Sequence, residues 1–317
     1  MAADARTDTA GATSPTGESA SRYKLLVMFV SIIWGGGFMV QKHLAMALPT
    51  FQILTIDFGI AAIVLLALFH KRFLANLGPR MAWAGIACGI ADCLGYGCQT
   101  LGLSMTTPGK GAFISGCYCV IVPFLGMLFG MGKPEPHNVV AALLCACGLG
   151  FIGADGGLPL NPGDVIVFGS AVAFAFGFVL VAKLGDGLDV FALTIWQAIV
   201  VASLSLAASL AFEGPIQPAS ITPDIVLCFA YHGIMSTCFC KVALNLALSK
   251  ADPTSISLIS SLESPFGAAF SLLFGMDSFT ARLGIGFALV FLSVVVSEAW
   301  RGIRERLRRA SGRGRSS

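Results

Sequence analysis

Long apolar runs dominate the chain, and charges, prolines and glycines punctuate them at near-regular intervals. A helix crosses the hydrocarbon core of a bilayer with about 20 apolar residues. The breaks divide the sequence into ten segments of this kind: 24–48, 50–69, 81–103, 110–131, 137–154, 163–183, 190–212, 223–248, 253–276 and 280–300. They leave no room for a soluble domain between them. The pattern predicts an all-α polytopic membrane protein with ten transmembrane helices.

Two segments carry a polar stripe at helical spacing. In the third, Gly85, Gly89, Asp92, Tyr96 and Gln99 recur at steps of three and four, so they share one helix face. Gly85 and Gly89 would let another helix approach closely, and the polar members would line a wet cavity. In the ninth, Ser257, Ser260, Ser264, Gly267 and Ser271 form a second stripe, with Glu263 beside it. Neither face can point at lipid without leaving polar groups unsatisfied.

The chain also resembles itself. Leu128-Phe129-Gly130-Met131 ends the fourth segment and Leu273-Phe274-Gly275-Met276 ends the ninth, each after a proline, Pro123 and Pro265. The polar loop from Asp155 to Asp164 lies near the midpoint. This suggests two copies of five helices, and an odd number makes the copies insert in opposite directions, as in carriers with inverted repeats. The expected organisation is a disordered tail at 1–22, a first repeat at 23–154, a second at 155–300 and a basic tail at 301–317.

Composition sharpens this picture. Charged residues make up 12% of the 317 and mean hydropathy is +0.83, where a soluble protein has about 25% charged residues. A soluble enzyme and a disulfide-rich secreted chain are excluded. Net charge is +3, which gives no basis for nucleic-acid binding. With the N-terminus inside, sixteen Lys and Arg face the cytoplasm, seven of them arginines from Arg301 to Arg315, against Lys42, Lys110 and Arg282 outside. Both termini are therefore expected in the cytoplasm, and the arginine tail near anionic lipid headgroups. The ten cysteines all fall in apolar segments. The C-x-C pairs Cys117/Cys119, Cys145/Cys147 and Cys238/Cys240 diverge by about 200° around a helix, so no metal site or cofactor is expected.

Several short strings, in order, resemble the drug/metabolite transporter superfamily and its ten-helix EamA branch. They are Trp34-Gly35-Gly36-Gly37-Phe38; Tyr96-Gly-Cys-Gln99-Thr-Leu-Gly102-Leu; Thr106-Thr107-Pro-Gly109-Lys110-Gly-Ala-Phe113-Ile114 with Val122-Pro123; Gly163-Asp164; Gln197; Tyr231-His-Gly233-Ile-Met-Ser236-Thr237; Leu262-Glu263-Ser-Pro265; and Gly284-Ile-Gly286. The likeness runs from Tyr23 to Trp300. It implies two inverted repeats and a solute carrier, often an exporter of metabolites, amino acids or drugs. Two places depart from it. Asp57-Phe58 stands where family members often have an arginine before the phenylalanine, and Asp277 stands where a Gly-Glu end is common. The first reverses a charge, so no substrate preference is carried over.

A charge near the bilayer centre costs about 2.5–3.5 kcal/mol on insertion scales. Asp57, Asp92, Lys241 and Glu263 need a reason to be there. An ion pair of Lys241 with one of the three carboxylates, or snorkelling of its amine, would answer for it. At least one carboxylate then stays unpaired, and a proton-coupled carrier needs such a group. Glu263 and Asp92 can serve a solute site or only join helices by hydrogen bonds. Trp34 and Tyr231 can stack on a solute or pack in the core. Gln99 and Gln197 are buried amides that need partners, and Ser260 lies on the ninth segment's stripe. His43 and His232 read as packing residues rather than a proton relay. Pro123 and Pro265 are expected to kink their helices.

The expected partners are a small-molecule solute and membrane lipid, with oligomeric state left open. Gly109-Lys110 lacks the earlier glycine of a nucleotide-binding loop. A membrane enzyme would need aspartate clusters, and the single Asp-x-x-Asp is Asp186 to Asp189. A channel or facilitator pore is the main alternative to a carrier.

Overall fold

A computed structural model describes residues 17–153, 161–215, 217, 220–274, 280–282, 284–286, 288–297 and 300. Most of the polar midpoint loop, Gly275-Met276 of the second repeated string, Asp277 and the arginine tail lie outside the described residues. So does the N-terminal tail up to residue 16. The helices are α1 (Gly17–Ala47), α2 (Thr50–Ala75), α3 (Pro79–Met105), α4 (Pro108–Gly116), α5 (Tyr118–Leu128), α6 (Pro136–Gly153), α7 (Pro162–Leu184), α8 (Val190–Ala208), α9 (Pro223–Phe229), α10 (Cys240–Leu248), α11 (Pro253–Ser260), α12 (Glu263–Leu273) and α13 (Gly284–Ser297). The first begins at Gly17, inside the segment expected to be a disordered tail, because Ser, Ala and Arg there extend the apolar helix outward without a breaker.

Seven helical stretches among the described residues are long and apolar enough to cross a bilayer, the first Ser21–Ala47 and the last Pro223–Leu248. The shorter apolar helices Pro136–Phe151 and Gly284–Ser297, and the pair α11–α12, lie where the other predicted segments fall. Prolines open α3, α4, α7, α9 and α11. A proline at the first helical position gives up only an N–H that would be orphaned anyway. Several helices therefore begin one or two residues before the apolar run. Asn161 and Asp164 form a reciprocal capping box at the start of α7, and the Glu213 carboxylate accepts from Phe51 N and Gln52 N at the start of α2, both at 2.9 Å.

The packing between the copies follows one exchange rule. α3 runs along α7, and α1 along the α9–α10 span; α1 packs on α12, and α7 on α4 and α5; α3 packs on α8, and α2 on the segment after α9. α5 packs on α11, and α12 on α4; α2 packs on α8, a pair that is its own mate. Swapping the copies maps each of these interfaces onto its counterpart. Large apolar side chains such as Phe212, Leu273, Leu128 and Met46 stay mostly exposed, which suits a surface turned to lipid and not to water.

Where lipid is as apolar as the protein, helix association depends on close packing. The Gly85 and Gly89 face lies against α8. A Cβ at Gly85 would come within 2.3 Å of Trp196 Cβ, and one at Gly89 within 2.7 Å of Val200 Cβ. Gly85→Leu should therefore lower stability by about 1–3 kcal/mol. Thermal unfolding in detergent checks this against Gly97→Leu, where a side chain would meet open space. Equal stability of the two variants would refute the contact.

The two expected proline kinks fall elsewhere. Pro123 lies inside α5 and Pro265 inside α12. The helical breaks come earlier, at Cys117 and at Ser261–Leu262, where the backbone tightens to i→i−3 hydrogen bonds such as Cys117 N to Ile114 O and Leu262 N to Ile259 O. A proline ring clashes with the carbonyl four residues back, which for Pro265 is Ser261 itself. The serine stripe of the ninth segment is thereby split between α11 and α12. The cysteines diverge as their rotation requires. Members of different pairs meet: the Cys119 thiol donates to Cys145 Sγ at 3.4 Å.

Candidate functional site

α1, α3, α5, α7, α10 and α12 and the segment before α10 surround a narrow cavity of about 50 Å³ between the two copies, room for a few waters. Six of the ten candidate residues line it: Trp34, Asp92, Tyr96, Gln99, Lys241 and Glu263. They come from four helices, α1, α3, α10 and α12, so the convergence is made by the fold and not by any one stripe.

One wall is an ion pair. The Lys241 ammonium donates to Asp92 Oδ1 at 2.6 Å, and both side chains are almost fully buried. Gln197 Nε2 donates to Asp92 Oδ2 at 2.9 Å. Behind it, Asn245 Nδ2 donates to Gln197 Oε1 and to Thr194 Oγ1. Charge-assisted bonds of this kind are what make a buried pair tolerable. Lys241 therefore does not snorkel; of the three carboxylates open to it, it takes Asp92.

The cavity also carries Glu263, which is 4% exposed. The Tyr118 hydroxyl donates to its Oε1 at 3.2 Å. Among the described residues no basic side chain lies within ion-pair reach of it. Tyr118 in turn stacks on Phe178, with centroids 5.1 Å apart. Tyr96 meets Phe174 edge-on at 4.9 Å and Phe58 at 5.0 Å. The cavity is thus an aromatic box holding one closed ion pair and one carboxylate without a cation.

The remaining four candidates do not line the cavity. Gln197 orients Asp92 from behind. Asp57 is fully buried and pairs with His232, Oδ2 to Nδ1 at 2.8 Å, so His232 is more than a packing residue. The Tyr231 hydroxyl donates to Ile33 O at 2.7 Å, which leaves it tied to α1. Ser260 is fully buried with no hydrogen-bond partner for its hydroxyl. His43 pairs with Asp224 at 3.1 Å on the exposed rim, while Lys110 and Thr106 donate to Asp164, each at 2.6 Å.

Sequence reasoning missed Gln41, Tyr118, Phe174, Phe178, Ser236 and Asn245 as lining residues. Asn245 was findable, since it stands one helical turn beyond Lys241. The aromatics gave no signal, because an aromatic residue in an apolar span looks the same whether it faces a cavity, a neighbour or lipid. Also unforeseen is the form of the chain from Ala230 to Phe239, a π-helix of ten residues between α9 and α10. Such wide turns are rare and cluster at functional sites. Here it places His232 and Ser236 on the cavity, and the Trp34 indole N–H donates to Ser236 O at 3.0 Å.

Long apolar helices packed around a buried polar cavity between two copies define a multi-pass membrane protein. Residues 22–154 and 161–298 each match the EamA-like transporter family, and the chain belongs to that family. Two uncharacterized transporters of Archaeoglobus fulgidus are similar to it. One is 26% identical over 267 residues, covering 84% of this chain and 82% of the relative; the other is 27% identical over 275 residues, covering 84% and 94%. A solved crystal structure at 17% identity superposes on 87% of this chain and 96% of its own with a TM-score of 0.72, which bears on the fold alone.

Proposed function

We propose that the protein is a secondary carrier that exports a small metabolite, amino acid or drug across the cell or inner membrane by alternating access. The observation that carries this reading is Glu263, a buried carboxylate in a cavity between the copies, bonded by a tyrosine hydroxyl and, among the described residues, by no cation. Such a group binds and releases a proton without breaking an ion pair, so its proton can exchange with the solute. The Asp92–Lys241 pair offers both charge signs to a polar solute, and the aromatic walls take its apolar part. Rocking of one copy against the other would open the cavity to each side in turn.

Both termini in the cytoplasm is part of the same reading. The arrangement of basic residues supports it: Arg72 at the end of α2 reaches Asp189 at 3.4 Å, and Arg80 at the start of α3 donates to Asp186 O at 2.7 Å. The basic ends of α2 and α3 thus gather at the loop between α7 and α8.

The test is flux in reconstituted liposomes, with labelled amino acids, nucleobases and cationic drugs, with and without a pH gradient. Saturable flux, counter-transport and dependence on the gradient are expected. Conductance that never saturates would replace the carrier with a pore.

A further inference from the structure

We propose that Asp57 and His232 form a second proton-exchange site, separate from Glu263, that reports to the solute cavity through the π-helical segment Ala230–Phe239. The inference rests on the proton-coupled carrier reading of that cavity.

The geometry is that of a buried imidazole and a buried carboxylate in direct hydrogen bond. His232 Nδ1 and Asp57 Oδ2 are 2.8 Å apart, and the two side chains are 7% and 1% exposed. The second carboxylate oxygen, Asp57 Oδ1, is buried with no hydrogen-bond partner. A purely structural ion pair would be expected to satisfy both carboxylate oxygens, as Asp92 does with Lys241 and Gln197. Here one oxygen is left over, and the imidazole itself lines the cavity.

The site also has a route to the solute. His232 lies on a segment tied to α1 twice, through Tyr231 to Ile33 O and through Ser236 O to the Trp34 indole. Losing the proton takes the pair from neutral to a single negative charge beside the unsatisfied Oδ1. That favours an arrangement in which the segment and α2 part and water enters. The i→i+5 turn is a strained register that can move without unfolding the helices on either side.

The groups around it are distinct from the pair. The segment itself carries Tyr231 and Cys238, and α10 carries Cys240 and Lys241, the lysine already held by Asp92. α9 carries Asp224, paired with His43 of α1, and Cys228. Across the cavity stand Asp92 and Tyr96 of α3 and Glu263 of α12. No second imidazole lies among these groups apart from His43 at the rim.

Trp34 supplies the readout. In a protein with Trp83, Trp196 and Trp300 replaced by phenylalanine, Trp34 emission is expected to show a step across the pH range in which the protein stays folded. The step should vanish in His232→Gln and in Asp57→Asn, the second keeping the side-chain shape, and should persist in Glu263→Gln. Potentiometric titration should find one proton fewer bound over that range in His232→Gln than in the parent. A parent protein with no step, or a step and a proton count unchanged in both pair variants, overturns the inference. The reading of Glu263 fails by a different result: gradient-driven flux unchanged in Glu263→Gln.

Discussion

Lys241→Met in an otherwise unchanged chain is expected to destabilise the protein by about 3–5 kcal/mol, the cost of breaking a buried ion pair from one side. Asp92 would be left buried without its cation, with Gln197 as its one remaining donor among the described residues. Asp92→Leu combined with Lys241→Met should recover most of the loss, since apolar replacement of a buried pair is often neutral or stabilising. Transport should be absent from the single and the double variant alike. Thermal unfolding in detergent separates the two effects from flux. If the double variant is no more stable than the single one, the pair does not hold this wall as the 2.6 Å contact implies. If the double variant transports like wild type, the pair takes no part in solute handling.

Glu263→Gln should fold, because an amide oxygen still accepts from Tyr118. A pH difference of one unit supplies about 1.4 kcal/mol per coupled proton, or roughly tenfold accumulation. The variant should lose about that factor in gradient-driven accumulation, measured in liposomes with the membrane potential clamped. Its downhill exchange of labelled for unlabelled solute should survive, since exchange needs no net proton movement. Full gradient-driven accumulation would sink the assignment of Glu263, and loss of exchange as well would point to solute binding instead.

Much of the fold was legible in the apolar runs, because lipid demands a length and a composition that few other environments do. The stripe from Gly85 to Gln99 was legible for the same reason. A face of small and polar residues has one place to go, and it lies against α8 and the cavity. The breaks at Cys117 and Ser261–Leu262 were not legible, since the prolines that mark them stand three to six residues downstream. The π-helix was hidden too, because its hydrogen-bond register leaves no trace in residue type. Charge pairing could be narrowed but not decided. Three carboxylates faced one lysine in the sequence, and only packing shows that His232 takes Asp57 and Lys241 takes Asp92.

Four buried carboxylates share one property. Asp57 to His232, Asp92 to Lys241 and Gln197, Tyr118 to Glu263, and Lys110 to Asp164 each join a residue of the first copy to one of the second. During synthesis the first copy emerges alone. It brings Asp57 and Asp92 to the membrane before His232 and Lys241 exist, each charge costing about 2.5–3.5 kcal/mol at the centre of a lone helix. The first half must therefore wait at the insertion machinery, protonated or hydrated, until more than half of the second has been made. An expressed first half has no partner to end that wait, and co-expression of the second is what should rescue it.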